Sequence, residues 1–229
     1  MTIIDPFKIE TNLHTIIAQY RAAWDRLAPI RDDYTPEGLA KSFATSTAST
    51  TAKLNAARAE LEDYAAGIDM VIPAERARVL PPAPTGGYTS TQELAAARIL
   101  GRHVDWDIST YVAAVEPMAG TPTATLITEE LAARNRLADG AEDVLLHTVS
   151  ERYAAATKLV QLMMTGLNGP LMSLVREAER AANVETWFSN HSEPGRHLVS
   201  LSDAHGPLRL DTSNGYVASD DLPPLTKKS

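Results

Sequence analysis

The N-terminal part of the chain carries apolar side chains at spacings of three and four residues, the pattern of a helix with one buried face. Between Phe7 and Ala28 this face consists of Leu13, Ile16, Ile17, Tyr20, Trp24 and Leu27. Pro29 predicts the end of this helix. Thr35-Pro36-Glu37 predicts the start of a second, because threonine caps free N–H groups, proline tolerates the first helical position and glutamate favours the positive end of the helix dipole.

The second helix carries a heptad-like seam, in which steps of four and three alternate as in a helix packed along a long partner. The seam consists of Phe43, Thr47, Thr50, Leu54, Ala57, Leu61, Tyr64 and Ile68. Leu54, Leu61, Tyr64 and Ile68 are predicted to form a helix–helix interface. The run from Thr45 to Thr51 offers only small side chains, and is interpreted either as a solvent-facing part of the helix or as a contact with another subunit.

Prolines and glycines interrupt the helical pattern after Gly67. Residues 68–89 contain Pro73, Pro81, Pro82, Pro84, Gly86 and Gly87. Proline lacks a backbone donor and fixes φ, so this segment is predicted to be an extended linker or arm. It is either a surface loop within one domain or an arm laid across a neighbouring subunit.

Residues 90–185 return to a helical pattern and predict a helical bundle. Ser90 and Glu93 match a capping box, in which the two side chains satisfy free N–H groups reciprocally. Asp105 or Asp107 is expected to cap the short helix that follows.

The longest periodic segment, 123–165, predicts a central helix, or two helices in series with a break at Gly140. From residue 186 the composition shifts toward Gly, Pro, Ser, His and Asp. Alternating short strands are predicted at His197–Leu201, Leu208–Leu210 and Tyr216–Ala218.

These patterns together predict a mainly α protein, an antiparallel helical bundle with long heptad-patterned N-terminal helices. The predicted parts are an N-terminal helical hairpin (1–67), a Pro/Gly-rich linker or arm (68–89), a helical bundle (90–185), and a C-terminal extension with a small β-hairpin or irregular structure (186–229).

Charge and composition narrow the classes of partner. The formal net charge is −8, which disfavours binding to nucleic acid phosphates and to anionic lipid. No apolar stretch reaches the ~20 residues of a membrane span, and the first residues predict no signal peptide, so the expected location at synthesis is the cytoplasm. The absence of cysteine excludes disulfides and thiolate chemistry.

Histidines provide the candidate chemistry. His191, His197 and His205 lie among Glu193, Asp203 and Asp211, and imidazole with carboxylate is a ligand set for zinc and similar metals. The spacing forms no paired set on one helix turn, so the alternative interpretation is a group of polar loop residues. No cofactor is predicted.

His147 lies in the run Asp143-Val144-Leu145-Leu146-His147, which resembles the histidine-bearing helix of metal-dependent four-helix-bundle thiol transferases and hydrolases. The resemblance implies further histidines four apart on a later helix. This chain has no such pair, so His147 is predicted to be a helix-face residue with a polar neighbour.

Three classes of function are compatible with these features. The leading hypothesis is a non-enzymatic structural or assembly subunit of a large homo-oligomer that contacts itself and other assembly proteins. A phage virion component of the head–tail connector, adaptor or scaffold type is one such subunit, and alanine-rich, lysine-poor helices are compatible with a high-GC actinobacterial host. The alternatives are a metal-dependent helical-bundle enzyme that uses some of the histidines at positions 103, 147, 191, 197 and 205, and a small regulatory binding module.

Overall fold

The computed structural model describes residues 3–103, 105–183, 210–211 and 216–217, and most of them are helical. Contacts divide the chain into two compact units. Unit 1 combines Met1–Ile68 with Gln161–Ala218, and unit 2 combines Asp69–Val160 with Ser219–Ser229. The predicted bundle of 90–185 is therefore divided between the two units at Val160.

Unit 1 contains helices and short strands that are distant in sequence. Its elements are β1 (Ile3–Ile4), α1 (Pro6–Leu27), a 3₁₀ segment (Ala28–Asp33), α2 (Pro36–Val79) as far as Ile68, α7 (Glu151–Gly166) from Gln161, a π-helical turn (Leu167–Leu171), α8 (Met172–Ala182), β2 (Leu210–Asp211) and β3 (Tyr216–Val217). Strand β2 pairs antiparallel with β1 and with β3. The predicted strand at residues 197–201 lies outside the described residues.

Helix α1 packs along α8 and its predicted apolar face is buried. Asp5 caps α1 by accepting a hydrogen bond from Phe7 N at 3.1 Å. Trp24 contacts both α8 and α2. Its indole Nε1 donates to Ala181 O at 3.1 Å, and its ring stacks on the Phe43 ring with 4.1 Å between the centroids. The predicted face of the first helix is thus confirmed.

All eight seam positions of α2 are buried, including Thr47 and Thr50. The Thr50 hydroxyl donates to Gln19 Oε1 on α1 at 3.3 Å, and the Thr47 hydroxyl donates to Phe43 O within α2 at 2.8 Å. The predicted start of this helix is confirmed, since Thr35 Oγ1 accepts from Gly38 N at 3.1 Å. The threonine-rich part of the seam therefore packs on α1 of the same chain.

Unit 2 is helical within its described residues. It contains α2 from Asp69, α3 (Ser90–Leu100), α4 (Ile108–Val115), a 3₁₀ turn (Glu116–Met118), α5 (Pro122–Ala133), α6 (Ala141–Val149) and α7 as far as Val160. Its core is an apolar cluster to which Leu80, Tyr111, Ile127 and Leu145 contribute fully buried side chains.

The prediction of a linker over 68–89 is wrong for its first half, because α2 continues to Val79 with Pro73 inside it. Pro73 is exposed and removes one helical hydrogen bond, because proline has no backbone N–H. Val71 and Val79 on the opposite side are buried, and their burial stabilises the helix through this segment. The non-helical part, 80–89, is tied to α5. Thr125 Oγ1 donates to Pro81 O at 2.6 Å, and Tyr88 OH donates to Glu129 Oε2 at 2.8 Å.

Two further boundaries differ from the predicted ones. The capping box of α3 is built one residue earlier than predicted, with Thr89 Oγ1 accepting from Gln92 N and Gln92 Oε1 accepting from Thr89 N. The segment 123–165 holds parts of three helices. Gly140, at φ +81°, precedes α6 as the predicted break, while Ser150 in extended conformation separates α6 from α7.

Among the described residues, no helix is long and apolar enough to cross a membrane.

Candidate functional site

A buried carboxylate with arginine partners lies in unit 2. Glu75 is 1% exposed, and Arg152 Nε donates to both of its carboxylate oxygens, at 2.9 and 3.0 Å. Arg78, one turn further along α2, lies 3.5 Å from Glu75 Oε1. Glu75 is held here because it follows Val71 and precedes Val79 on the buried face of α2. The buried negative charge is thus compensated by two arginines.

A second set of polar contacts joins α2, α6 and α7 close by. Arg76 pairs with Glu142, and this hydrogen bond raises the pKa of the Arg76 guanidinium. Tyr153 OH donates to Asp143 Oδ1 at 3.1 Å. Burial is the larger cause and the hydrogen bond to Asp143 the second, and together they raise the pKa of the Tyr153 hydroxyl to about 12. At neutral pH Arg76 is therefore charged and Tyr153 is protonated.

An open groove of about 1300 Å³ lies in unit 1 between the 3₁₀ segment, the first half of α2 and the end of α8. Leu39 and Leu54 contribute buried apolar side chains to its lining. Its wall includes Tyr20, whose hydroxyl forms a 2.9 Å hydrogen bond with Thr51 Oγ1. The groove is therefore lined by both apolar and polar side chains.

The charged groups of this groove are mostly paired with each other. Arg58 pairs with Glu179, and Arg31 Nε donates to Asp32 Oδ1 at 3.2 Å. Glu37 is the exception among the lining carboxylates, because no cation of the described residues lies within 4 Å of it.

The four predicted interface residues lie inside unit 1. Leu54, Leu61, Tyr64 and Ile68 are 3%, 5%, 1% and 1% exposed. Burial, together with the negative charge of Asp5, raises the pKa of the Tyr64 hydroxyl above its ordinary value. The chain itself covers these side chains, so a surface between copies would use other residues.

The histidines fall into two groups. His191, His197 and His205, the predicted metal candidates, lie outside the described residues. His147 is on the exposed face of α6, where its Nδ1 lies 2.8 Å from Asp143 O and its ring meets Tyr153 edge-on. Within the described part of the chain, no group of three metal-ligating side chains comes together.

The Glu75 cluster was not predicted from the sequence, although a signal for it exists. Ile68, Val71, Glu75 and Val79 follow steps of three and four, so the helical period runs through the segment that Pro73 marked as a linker. A glutamate on such an apolar face needs a partner that compensates its charge or hydrogen-bonds its carboxyl group, and a cation is one such partner.

No protein-family model, curated protein or solved structure matches this chain significantly.

Proposed function

We propose that this protein is a non-enzymatic structural or assembly subunit of a large homo-oligomer. One observation carries this proposal: among the described residues, every buried side-chain nitrogen and oxygen has a hydrogen-bond partner. The buried carboxylate of Glu75 is compensated by arginines. The buried hydroxyls of Thr47, Thr125 and Thr128 each donate to a backbone carbonyl oxygen. Reaction centres more often keep groups whose charge or bonding is left open for a substrate.

The surface offers apolar side chains that the assembly part of the proposal would use. Several large apolar side chains are exposed in each unit, including Ile30 at 42% and Tyr34 at 40% in unit 1 and Met70 at 56% and Leu94 at 53% in unit 2. Such residues are available to contacts between copies or with other assembly proteins. A head–tail connector, adaptor or scaffold of a phage particle is the type of subunit proposed, made in the cytoplasm and then built into the virion.

Chemical cross-linking tests this proposal. We expect a ladder of bands from purified protein that ends at one defined copy number and persists on dilution. A band at 24.7 kDa alone, at every concentration, would contradict the proposal.

Metal analysis separates the proposal from the metal-enzyme alternative. We expect no stoichiometric zinc, iron or manganese in protein purified without chelator. One equivalent of metal that is lost in a His191→Ala/His197→Ala variant, but kept in a His14→Ala control, would favour the enzyme instead.

A further inference from the structure

The groove of unit 1 is larger than a typical small-molecule pocket. Its volume of about 1300 Å³ exceeds the ~300–1,000 Å³ typical of small-molecule pockets. Its lining combines the apolar side chains of Leu39 and Leu54 with charged and polar side chains. An amphipathic segment, with one apolar and one polar face, matches this distribution.

The charges of the groove lining indicate which charge the polar face of a bound segment should carry. Two arginines and three carboxylates line the groove, a net formal charge of −1. Both arginines, Arg31 and Arg58, already contact carboxylates, whereas Glu37 has no cationic partner among the described residues. Glu37 lies at the positive end of α2, but it has no ion-pair partner among the described residues, so the groove can still pair one carboxylate with a cation.

An aromatic ring belongs to the same groove lining as the Glu37 carboxylate. Tyr34 is 40% exposed, and a Cβ placed on Gly38 would lie 3.5 Å from Tyr34 Cδ1, so the ring covers the first turn of α2 beside Glu37. The face of an aromatic ring attracts ammonium and guanidinium groups. Tyr34 and Glu37 thus give the groove lining an aromatic face and a carboxylate, two groups that attract a lysine or arginine side chain.

We infer that this groove binds a basic amphipathic segment of a partner protein, with its apolar residues on Leu39 and Leu54 and a lysine or arginine between Tyr34 and Glu37. The occupant is a different protein, because a second copy of this chain also carries a net charge of −8. The inference thus goes beyond self-assembly.

A pair of labelled peptides tests the inference by fluorescence anisotropy at physiological ionic strength. Both have leucines at helical spacing, and their polar positions are lysine in one and glutamate in the other. We expect the lysine peptide to bind with one-to-one stoichiometry and at least about tenfold more tightly than the glutamate peptide. Glu37→Lys is expected to weaken binding of the lysine peptide about fivefold or more, and Tyr34→Ala about twofold to fivefold.

Glu62→Lys is the matched control, since Glu62 is an exposed residue of α2 that does not line the groove. The control should bind like the wild type, and circular dichroism of both variants should be unchanged. Equal weakening by Glu37→Lys and Glu62→Lys, or no binding by the wild type, would overturn the inference. A lower assembly mass for Glu37→Lys alone would overturn it too, because the groove would then belong to a contact between copies.

The mass of the wild type keeps this inference separate from the proposed function. If the wild type is a monomer that binds the lysine peptide, the groove inference stands and the proposed homo-oligomer is contradicted. If the wild type is an oligomer that does not bind the lysine peptide, the proposed function stands and the groove inference is contradicted.

Discussion

Arg152 Nε donates to both carboxylate oxygens of Glu75 inside unit 2, at 2.9 and 3.0 Å, and thereby fixes the start of α7 to the end of α2. The carboxylate is 1% exposed and the arginine side chain 11% exposed. Taking both charges out of water is costly, and removal of one partner leaves the other buried without compensation.

Glu75→Ala is therefore expected to lower the free energy of unfolding by about 3–5 kcal/mol, measured by urea denaturation. The matched control is Glu142→Ala, which breaks the more exposed pair with Arg76 and should cost about 1 kcal/mol or less. The double variant Glu75→Met/Arg152→Met should be more stable than Glu75→Ala. Similar decreases in the free energy of unfolding for Glu75→Ala and Glu142→Ala would show that the burial of the ion pair does not determine how much its loss destabilises the protein.

Pro73 interrupts the hydrogen bonding of α2 without contributing a buried side chain. Pro73→Ala restores a donor for Asp69 O, and we expect it to raise the free energy of unfolding by about 1–3 kcal/mol. Pro84→Ala, in the non-helical segment 80–89, is the control and should change stability little or lower it slightly. A destabilised Pro73→Ala variant would mean that unit 2 requires the distortion that this proline introduces.

Asp107 caps α4, and its pKa should show the capping hydrogen bonds. The Thr110 backbone N–H, with the hydroxyls of Thr110 and Ser109, lowers the pKa of Asp107 from its ordinary 3.8 to about 2. Because the folded value lies below the unfolded one, this contribution to stability is present above pH 3.8 and is lost as the pH falls through about 2.

A ¹³C NMR titration of the Asp107 carboxyl group measures this pKa directly. Ser109→Ala removes one of the donors and should move the pKa of Asp107 back toward 3.8. An Asp107 pKa near 3.8 in the wild type would contradict the cap.

Trp24 connects α1 to α8 and to α2. Trp24→Phe removes its hydrogen bond to Ala181 O and leaves that acceptor buried, so we expect a loss of about 1–3 kcal/mol in the free energy of unfolding. Trp106→Phe changes a partly buried indole of unit 2 and should cost less. Equal costs in urea denaturation would show that the Ala181 contact contributes little.

The helical character of the chain and the face of α1 could be predicted from the sequence, because their apolar spacing is regular and proline or a cap residue marks their ends. Helix α2 extends beyond its predicted end since the burial of apolar Val71 and Val79 outweighs the local cost of Pro73. The capping box at Thr89 differs by one residue because Thr89 and Ser90 both carry a suitable hydroxyl.

The polar contacts could not be predicted in the same way. Glu75 and Arg152 are 77 residues apart, and no periodic signal links two positions at that separation. The groove depends on α8 lying beside α1 and α2, which brings Glu179 to Arg58 across 121 residues. Spacing along the chain predicts which face of a helix is buried, but not which side chain from another helix covers it.

The mass of the purified protein in solution tests the assembly role most directly. Multi-angle light scattering after size-exclusion chromatography should give one species at a defined multiple of the 24.7 kDa chain, unchanged over a hundredfold dilution. A species of 24.7 kDa throughout that range would contradict the assembly role.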